Sequence, residues 1–174
     1  MGMWIGRNRK ARVTYGFDEI ALVPGAVTIN PNEVDITWKI PRPDGGAIQL
    51  ALPVLASAMD GVVDARFAAA MGKLGGLAVL NLEGVQVRYE DADAVLAEVL
   101  AEDKDKVTAL LQKIYLEPVK EDLIARRIKE IKDAGVIAAV SAIPQKAERC
   151  GAIAQEAGVD VFVVQSTVST ARHI

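Results

Sequence analysis

Four apolar runs alternate with segments of helical periodicity along this chain. Leu50 to Ala58 is nearly all apolar, and shorter apolar runs follow at 77–80, 136–143 and 159–164. A continuous apolar run is typical of a strand that is buried on both faces, as in a parallel sheet. We therefore predict an α/β fold in which four parallel strands are connected by helices.

Helix signals lie between the first two runs and again between the last two. Asp64 is positioned to cap the first helix, and Gly75-Gly76 to end it. In the second connection Pro144 suits the first helical turn, and Gly158 suits a helix end. Each connection has one apolar helical face, formed by Phe67, Ala70, Met71 and Leu74 in the first and by Ala147, Cys150, Ala154 and Ala157 in the second.

The remaining segments differ from these in composition. Residues 1–46 contain turn signals such as Pro24-Gly25 and predict an extended lead-in with a short strand or two. Residues 85–134 hold nine basic and twelve acidic side chains, and they predict two or three exposed amphipathic helices inserted into the scaffold. The predicted organisation is a lead-in at 1–46, the first strand pair at 47–84, a charged helical insert at 85–134 and the second strand pair at 135–174.

Composition excludes several functional classes. Hydrophobic residues make up 51% of the 174 residues, which is too many for a disordered protein. No apolar run reaches the ~18 residues of a transmembrane helix. The one cysteine, Cys150, cannot form an intrachain disulfide, and a net charge of −3 argues against a nucleic-acid surface. No signal-peptide pattern follows the basic residues near the N-terminus, so the expected compartment is the cytoplasm.

Because α/β folds bind ligands at the carboxyl ends of their strands, the candidate positions are 57–60, 81–84, 141–144 and 165–170. Ser57 and Asp60 follow the first run, and they would either orient a polar ligand or complete a turn. Gln165, Ser166 and Thr167 follow the fourth run, and they suit either ribose or phosphate recognition or turn capping. The spacing leaves these alternatives open, so it predicts a small-molecule site without its reaction.

The reactive residue types predict no catalytic or metal centre. Cys150 lies on the apolar face of a predicted helix, so we expect a buried, inert thiol. His173 is the only histidine, and no set of His, Cys and carboxylate residues has the spacing of metal ligands.

Several motifs taken together resemble the IMP dehydrogenase/GMP reductase family. Phe17 to Pro24 resembles the family's opening signature, and Glu33 to Ile36 resembles the segment that follows it. Pro53 to Asp60 is similar to the family's first barrel strand and its substrate-contacting turn. Further matches follow in order at Asp64-Ala65-Arg66, Ala70-Met71, Gly75-Gly76 and Ala157-Gly158-Val159-Asp160.

The resemblance implies a (β/α)8 barrel that acts on a purine nucleotide with a nicotinamide cofactor. The reaction would be oxidation of IMP to XMP with NAD, in guanine nucleotide biosynthesis, or the related reduction of GMP with NADPH. Ser57 would contact the nucleotide phosphate, Met59 would pack on the base and Asp60 would help to hold the turn. Gln165, Ser166 and Thr167 would contact the nicotinamide nucleotide. A homotetramer is expected for the full-length protein.

Three features depart from the family pattern. The family's dehydrogenases usually carry Asp where Gln165 stands, and a glutamine is less suited to accept two ribose hydroxyl hydrogens. Asn81-Leu82-Glu83 stands where histidine or asparagine often follows the second strand. The 85–134 insert is too short for the regulatory CBS pair that many members carry. In this respect the chain resembles the shorter, CBS-free branch of the family.

By resemblance, the family's catalytic elements are expected outside the four predicted strands. By resemblance, the catalytic cysteine loop, the monovalent-cation site and the main phosphate loops lie beyond the fourth strand, and Cys150 does not match that cysteine. Since a barrel of this type needs ~250 residues, we expect the N-terminal half of a TIM barrel. The predicted function is an N-terminal fragment of an NAD-dependent IMP dehydrogenase that is inactive alone, with no catalytic residue in this chain. The alternatives are a fragment of an NADP-dependent GMP reductase and a non-catalytic nucleotide-binding α/β module.

Overall fold

The structure, a computed structural model, describes residues 4–5, 9–10, 13–42 and 44–165. It divides into two units, residues 1–35 and residues 36–174. In the first unit, strand β1 (Trp4–Ile5) pairs antiparallel with β2 (Arg9–Lys10), and a 3-10 helix covers Pro31–Glu33. The side chain of Asn30 starts that helix by accepting a hydrogen bond from the Asn32 N–H at 3.1 Å.

The second unit begins with an antiparallel hairpin of β3 (Trp38–Pro41) and β4 (Ala47–Leu50). Gly45 has a φ of 85°, a left-handed conformation that the tight turn requires and that glycine adopts at no steric cost. The Gly46 N–H donates to Asp44 Oδ1 at 2.9 Å, which fixes the same turn.

A four-stranded parallel sheet follows the hairpin, and its strands lie in chain order. Its strands are β5 (Leu55–Ala56), β6 (Leu77–Asn81), β7 (Ala139–Ala142) and β8 (Val161–Val164). The predicted α/β fold with a parallel sheet is therefore confirmed. The sheet is open, whereas a (β/α)8 barrel closes with eight strands.

Five helices occur among the described residues: α1 (Ala65–Lys73), α2 (Ala92–Ala101), α3 (Val107–Ile114), α4 (Glu121–Asp133) and α5 (Pro144–Glu156). The predicted helix ends are confirmed. Asp64 Oδ1 accepts from the Phe67 N–H at 2.6 Å and so caps α1. Gly75 and Gly158, with φ of 91° and 81°, follow the ends of α1 and α5.

The two faces of the sheet carry two separate cores, because side chains alternate along each strand. Ala78, Leu80 and Val140 face the helices and pack with buried residues of α4 and α5. Leu77, Val79 and Ala139 face the other way and pack against Ile48 and Leu50 of the hairpin. The hairpin thus covers the sheet face that the helices leave open.

The run from Leu50 to Ala58 is not one buried strand, and that prediction was wrong. Leu50 ends the antiparallel hairpin, and only Leu55–Ala56 joins the parallel sheet, where Leu55 is 45% exposed. Between them the backbone changes partners, because the Leu52 N–H donates to the Gly75 carbonyl and the Val54 carbonyl accepts from the Leu77 N–H. The sequence gives no sign of this change from the hairpin to the parallel sheet, because the run is apolar throughout.

The predicted insert, residues 85–134, contains a 3-10 turn at Val85–Val87 and the helices α2, α3 and α4. The leucine and isoleucine residues of α4 lie in the main core at 1% exposure or less, so α4 is a core helix rather than an exposed one. It is the crossover helix between β6 and β7, and it packs beside α1 and α5. Helices α2 and α3 form a smaller cluster of their own around Val85, Ala92 and Ile114. The comparison of this segment with a CBS pair stays a prediction.

Candidate functional site at the carboxyl end of the sheet

The Asp60 carboxylate joins three elements at the carboxyl end of the sheet. Its Oδ1 accepts a hydrogen bond from Asn81 Nδ2, at the end of β6, at 3.0 Å. Its Oδ2 accepts from the Val85 N–H at 2.8 Å and from the hydroxyl of Tyr115, the residue that follows α3. The loop after β5 is therefore fixed to β6 and to the end of the α2–α3 pair.

Gly84 leaves the space that this carboxylate occupies. A Cβ built at Gly84 would lie 1.8 Å from Asp60 Oδ1 and 2.4 Å from its Cγ, which no side chain tolerates. The φ of Gly84 is −87°, so the backbone itself would accept any residue. The glycine is required here because the carboxylate packs against the backbone.

Arg88 contacts both the ring and the backbone carbonyl of Tyr115 and so fixes its position. Arg88 is 8% exposed, and its guanidinium lies 5.3 Å from the centre of the Tyr115 ring. The same guanidinium donates to the backbone carbonyls of Glu83 at 2.9 Å, of Tyr115 at 3.3 Å and of Glu117. Partial burial, followed by the hydrogen bond to the Asp60 carboxylate, raises the pKa of Tyr115 to about 12. The hydroxyl therefore stays a proton donor at neutral pH.

Glu83 occupies the N-terminus of α5. Its Oε2 accepts from the Ile143 N–H at 2.9 Å, and its Oε1 pairs with Lys146 Nζ at 2.7 Å. A carboxylate is favourable there because it meets unpaired N–H groups and the positive end of the helix dipole. The chain's own carboxylate thus fills the position that a bound anion would take.

Gln165 follows β8 and is joined to the end of β7. The buried hydroxyl of Ser141 donates to Gln165 Oε1 at 3.2 Å, and the Gln165 N–H donates to the Ala142 carbonyl at 2.9 Å. The amide oxygen already accepts one hydrogen bond, and the NH2 group of Gln165 is a donor that fits a ribose oxygen. Asn81 and Ser141 are register partners, so Asp60, Asn81, Ser141 and Gln165 form one polar row along this edge.

The structure places Ser57 and Met59 on the turn that Asp60 anchors. Both are exposed, Met59 at 57%, and the Met59 N–H donates to the Ser57 carbonyl at 2.8 Å. Neither side chain forms a hydrogen bond within the described part of the chain, so both are accessible to a ligand. Ser166 and Thr167 lie outside the described residues.

Sequence reasoning missed Tyr115 and Arg88, and it placed Glu83 at a strand end without giving it a role. Asn81 and Glu83 carried a signal, since they directly follow a predicted strand. Tyr115 carried none, because it is 55 residues away from Asp60 and lies in a segment interpreted as an insert. Its hydroxyl meets the carboxylate only through the packing of α3.

Cys150 contributes no nucleophile to this site. It is 5% exposed, which confirms the predicted burial. That burial, and then the charge of Glu83, raises the pKa of the thiol and so disfavours the reactive thiolate. Among the described residues no three His, Cys, Asp or Glu side chains are grouped so that they could hold a metal ion. No helix in this part of the chain has the length and apolarity to cross a membrane.

Known proteins are similar to this chain in sequence and in fold. A sequence model of the IMP dehydrogenase/GMP reductase domain matches residues 14–174. An uncharacterized oxidoreductase of Mycobacterium tuberculosis (strain ATCC 25618 / H37Rv) is 36% identical over 175 residues, which cover 98% of this chain and 45% of that protein. An inosine-5'-monophosphate dehydrogenase of Staphylococcus epidermidis is 35% identical over 94 residues, which cover 53% of this chain and 18% of that enzyme.

A solved structure agrees with these matches. The crystal structure of an IMP dehydrogenase/GMP reductase-like protein from Corynebacterium glutamicum superposes with a TM-score of 0.82 at 33% identity, over 99% of this chain and 46% of that chain. The chain therefore spans about half the length of the Mycobacterium and Corynebacterium proteins.

Proposed function

Because this chain belongs to the IMP dehydrogenase/GMP reductase family, we propose that it supplies the nucleotide-binding turn of an NAD-dependent enzyme that oxidises IMP to XMP. The observation that carries this proposal is the anchored turn at Asp60. Its carboxylate is held from β6 and from the end of α3, and the turn leaves Ser57 and Met59 exposed at the carboxyl edge. Parallel α/β sheets bind their substrates at that edge.

The residues of the turn suit a purine nucleotide. The Ser57 hydroxyl would donate to the 5′-phosphate, and the thioether of Met59 would pack against the base, a contact that sulfur makes favourably with aromatic rings. Asp60 would keep the two at a fixed separation without touching the nucleotide, because its oxygens are engaged by Asn81, Val85 and Tyr115.

Gln165 would serve the nicotinamide nucleotide at the far end of the same edge. NAD supplies a hydride acceptor in such a reaction. The NH2 of Gln165 would donate to a ribose oxygen, while its amide oxygen remains bound to Ser141 at 3.2 Å. By resemblance, Ser166 and Thr167 would contact the same nucleotide.

GMP reductase is the second candidate, and Gln165 is the residue that favours it. A carboxylate would accept two ribose hydroxyl hydrogens, whereas Gln165 has one acceptor oxygen, which already accepts from Ser141. The match to an inosine-5'-monophosphate dehydrogenase over 94 residues supports the first candidate.

The reaction is tested by joining residues 1–174 to the second half of the Corynebacterium relative and measuring turnover of IMP with NAD and of GMP with NADPH. We expect oxidation of IMP, with a KM that rises in the Ser57→Ala variant. The matched control is Thr108→Ala, which removes an exposed hydroxyl from α3. Turnover of GMP alone would establish the reductase, and turnover of neither substrate beside an active parent enzyme would refute both.

We propose further that the 174-residue chain does not turn over IMP by itself. Its one thiol is buried, and this burial raises the pKa of Cys150 and disfavours the thiolate, while by resemblance the family's catalytic cysteine lies outside the four strands. Oxidation of IMP by the purified 174-residue chain would contradict this. Saturable nucleotide binding with no turnover in the joined protein would instead favour a non-catalytic binding module.

A further inference from the structure

The α2–α3 pair reaches the proposed nucleotide turn through one side chain, Tyr115. This residue directly follows α3 and donates its hydroxyl hydrogen to Asp60. Tyr115 is 42% exposed, so a structural role in the core does not account for it. Its hydroxyl nevertheless supplies one of three hydrogen bonds to a carboxylate that is itself partly buried.

The ring of Tyr115 is held in one place. The guanidinium of Arg88 lies over it at 5.3 Å, and the same group donates to the backbone carbonyls of Tyr115 and Glu117. Arg88 is 8% exposed, so few alternative positions are open to it. A side chain fixed at both ring and backbone can set the position of its hydrogen-bond partner.

The backbone of the turn forms few hydrogen bonds to the rest of the fold, and Val63 at its end packs in the main core at 1% exposure. Strand β5 has only two residues, and the backbone bonds of the turn run within it, from Met59 to Ser57 and from Val62 and Val63 to Met59. The other two bonds to Asp60 come from β6 and the 3-10 turn after it. Tyr115 is therefore the contact that links the turn to α3.

We propose that Tyr115 is a positioning residue for nucleotide binding, which acts through Asp60 and sets the placement of Ser57 and Met59. The effect on nucleotide binding rests on the proposed function, whereas the link between Tyr115 and the turn does not. In Tyr115→Phe the ring and its contact with Arg88 remain, and only the hydroxyl is lost. The Asp60 carboxylate then keeps two of its three partners, and the turn samples more positions.

The matched control is Tyr89→Phe. Tyr89 lies in the same segment, its hydroxyl donates to the Ile114 carbonyl at 2.9 Å, and its ring lies 6.0 Å from Lys120 Nζ. The control variant thus loses the same group, and a similar hydrogen bond to the end of α3, without touching the turn. Comparison of the two variants therefore distinguishes an effect on the end of α3 from an effect on the turn.

Two measurements on the 174-residue chain test the inference. Hydrogen exchange of the Met59, Val62 and Val63 amides should be faster in Tyr115→Phe than in the unaltered chain and unchanged in Tyr89→Phe. The IMP dissociation constant should rise about tenfold in Tyr115→Phe, which corresponds to about 1.4 kcal/mol, and less than about twofold in the control.

The outcomes separate the two claims. Equal exchange of these amides in both variants, or an equal loss of IMP affinity, would overturn the positioning role. Faster exchange in Tyr115→Phe alone, in a chain that binds no IMP even when unaltered, would support the link to the turn and refute the proposed nucleotide.

Discussion

Gly84→Ala isolates the packing of the Asp60 carboxylate against the backbone. The substitution adds one methyl group at a position whose φ of −87° and ψ of −173° suit any residue, so it introduces no backbone strain. The added Cβ would lie 1.8 Å from Asp60 Oδ1, 2.4 Å from Cγ and 2.6 Å from Oδ2. Since ordinary contacts begin above 3.4 Å, the whole carboxylate has to move.

The structure sets the magnitude of the effect. Overpacking by one methyl group costs about 1–3 kcal/mol. The displaced carboxylate also loses its bond with Asn81 or with the Val85 N–H, and hydrogen bonds to charged groups contribute about 1.5–3 kcal/mol each. Partial relaxation reduces the sum, so we expect a loss of about 2–4 kcal/mol in the free energy of unfolding.

Gly61→Ala is the matched control, because Gly61 directly follows Asp60 and an added Cβ there meets nothing within 4 Å. This change should be neutral, or should stabilise by about 0.4–1 kcal/mol through the unfolded state. Urea unfolding followed by circular dichroism compares the two variants with the unaltered chain. Equal stability of Gly84→Ala and Gly61→Ala would refute the placement of the Asp60 carboxylate against Gly84.

Two further predictions concern the scaffold that carries the site. Ile128→Ala on α4, at 0% exposure, should lower the free energy of unfolding by about 2–5 kcal/mol. Leu100→Ala on α2, at 87% exposure, should change it by less than about 0.5 kcal/mol in urea titrations, and similar values would contradict the placement of α4 in the core. Partial burial raises the pKa of Asp64, but the Phe67 N–H and Arg66 outweigh it and hold that pKa below its usual 3.8. Asp64 therefore stabilises the fold above about pH 4 and loses this contribution as the pH falls through the lowered pKa, so thermal unfolding of Asp64→Asn should depend less on pH between about pH 5 and pH 2.

Local signals in the sequence predicted the helix ends and the inner strands. Asp64 caps α1 and Gly75 follows its end, because an N-cap and a left-handed glycine are set by nearby residues. Strands β6 and β7 were found because both of their faces are buried, which leaves continuous apolar runs. These features need no knowledge of the rest of the fold.

Features that depend on tertiary packing could not be predicted in this way. The run from Leu50 to Ala58 changes from one sheet to another without any change in polarity. The charged face of α4 resembled that of an exposed helix, although its apolar face lies in the core. Likewise Asp60 was identified as a residue of the turn, but the reason for its position lies in Tyr115, which only the packing of α3 brings near.

The central claim is that the turn anchored by Asp60 binds a purine nucleotide through its phosphate. Calorimetric titration of the folded 174-residue chain with IMP and with inosine, which lacks the phosphate, tests it most directly. We expect saturable binding of IMP, at least about tenfold weaker binding of inosine, and a similar weakening of IMP binding in Ser57→Ala but not in Thr108→Ala. Equal affinity for IMP and inosine, or no binding of IMP by a chain that unfolds cooperatively, would contradict it.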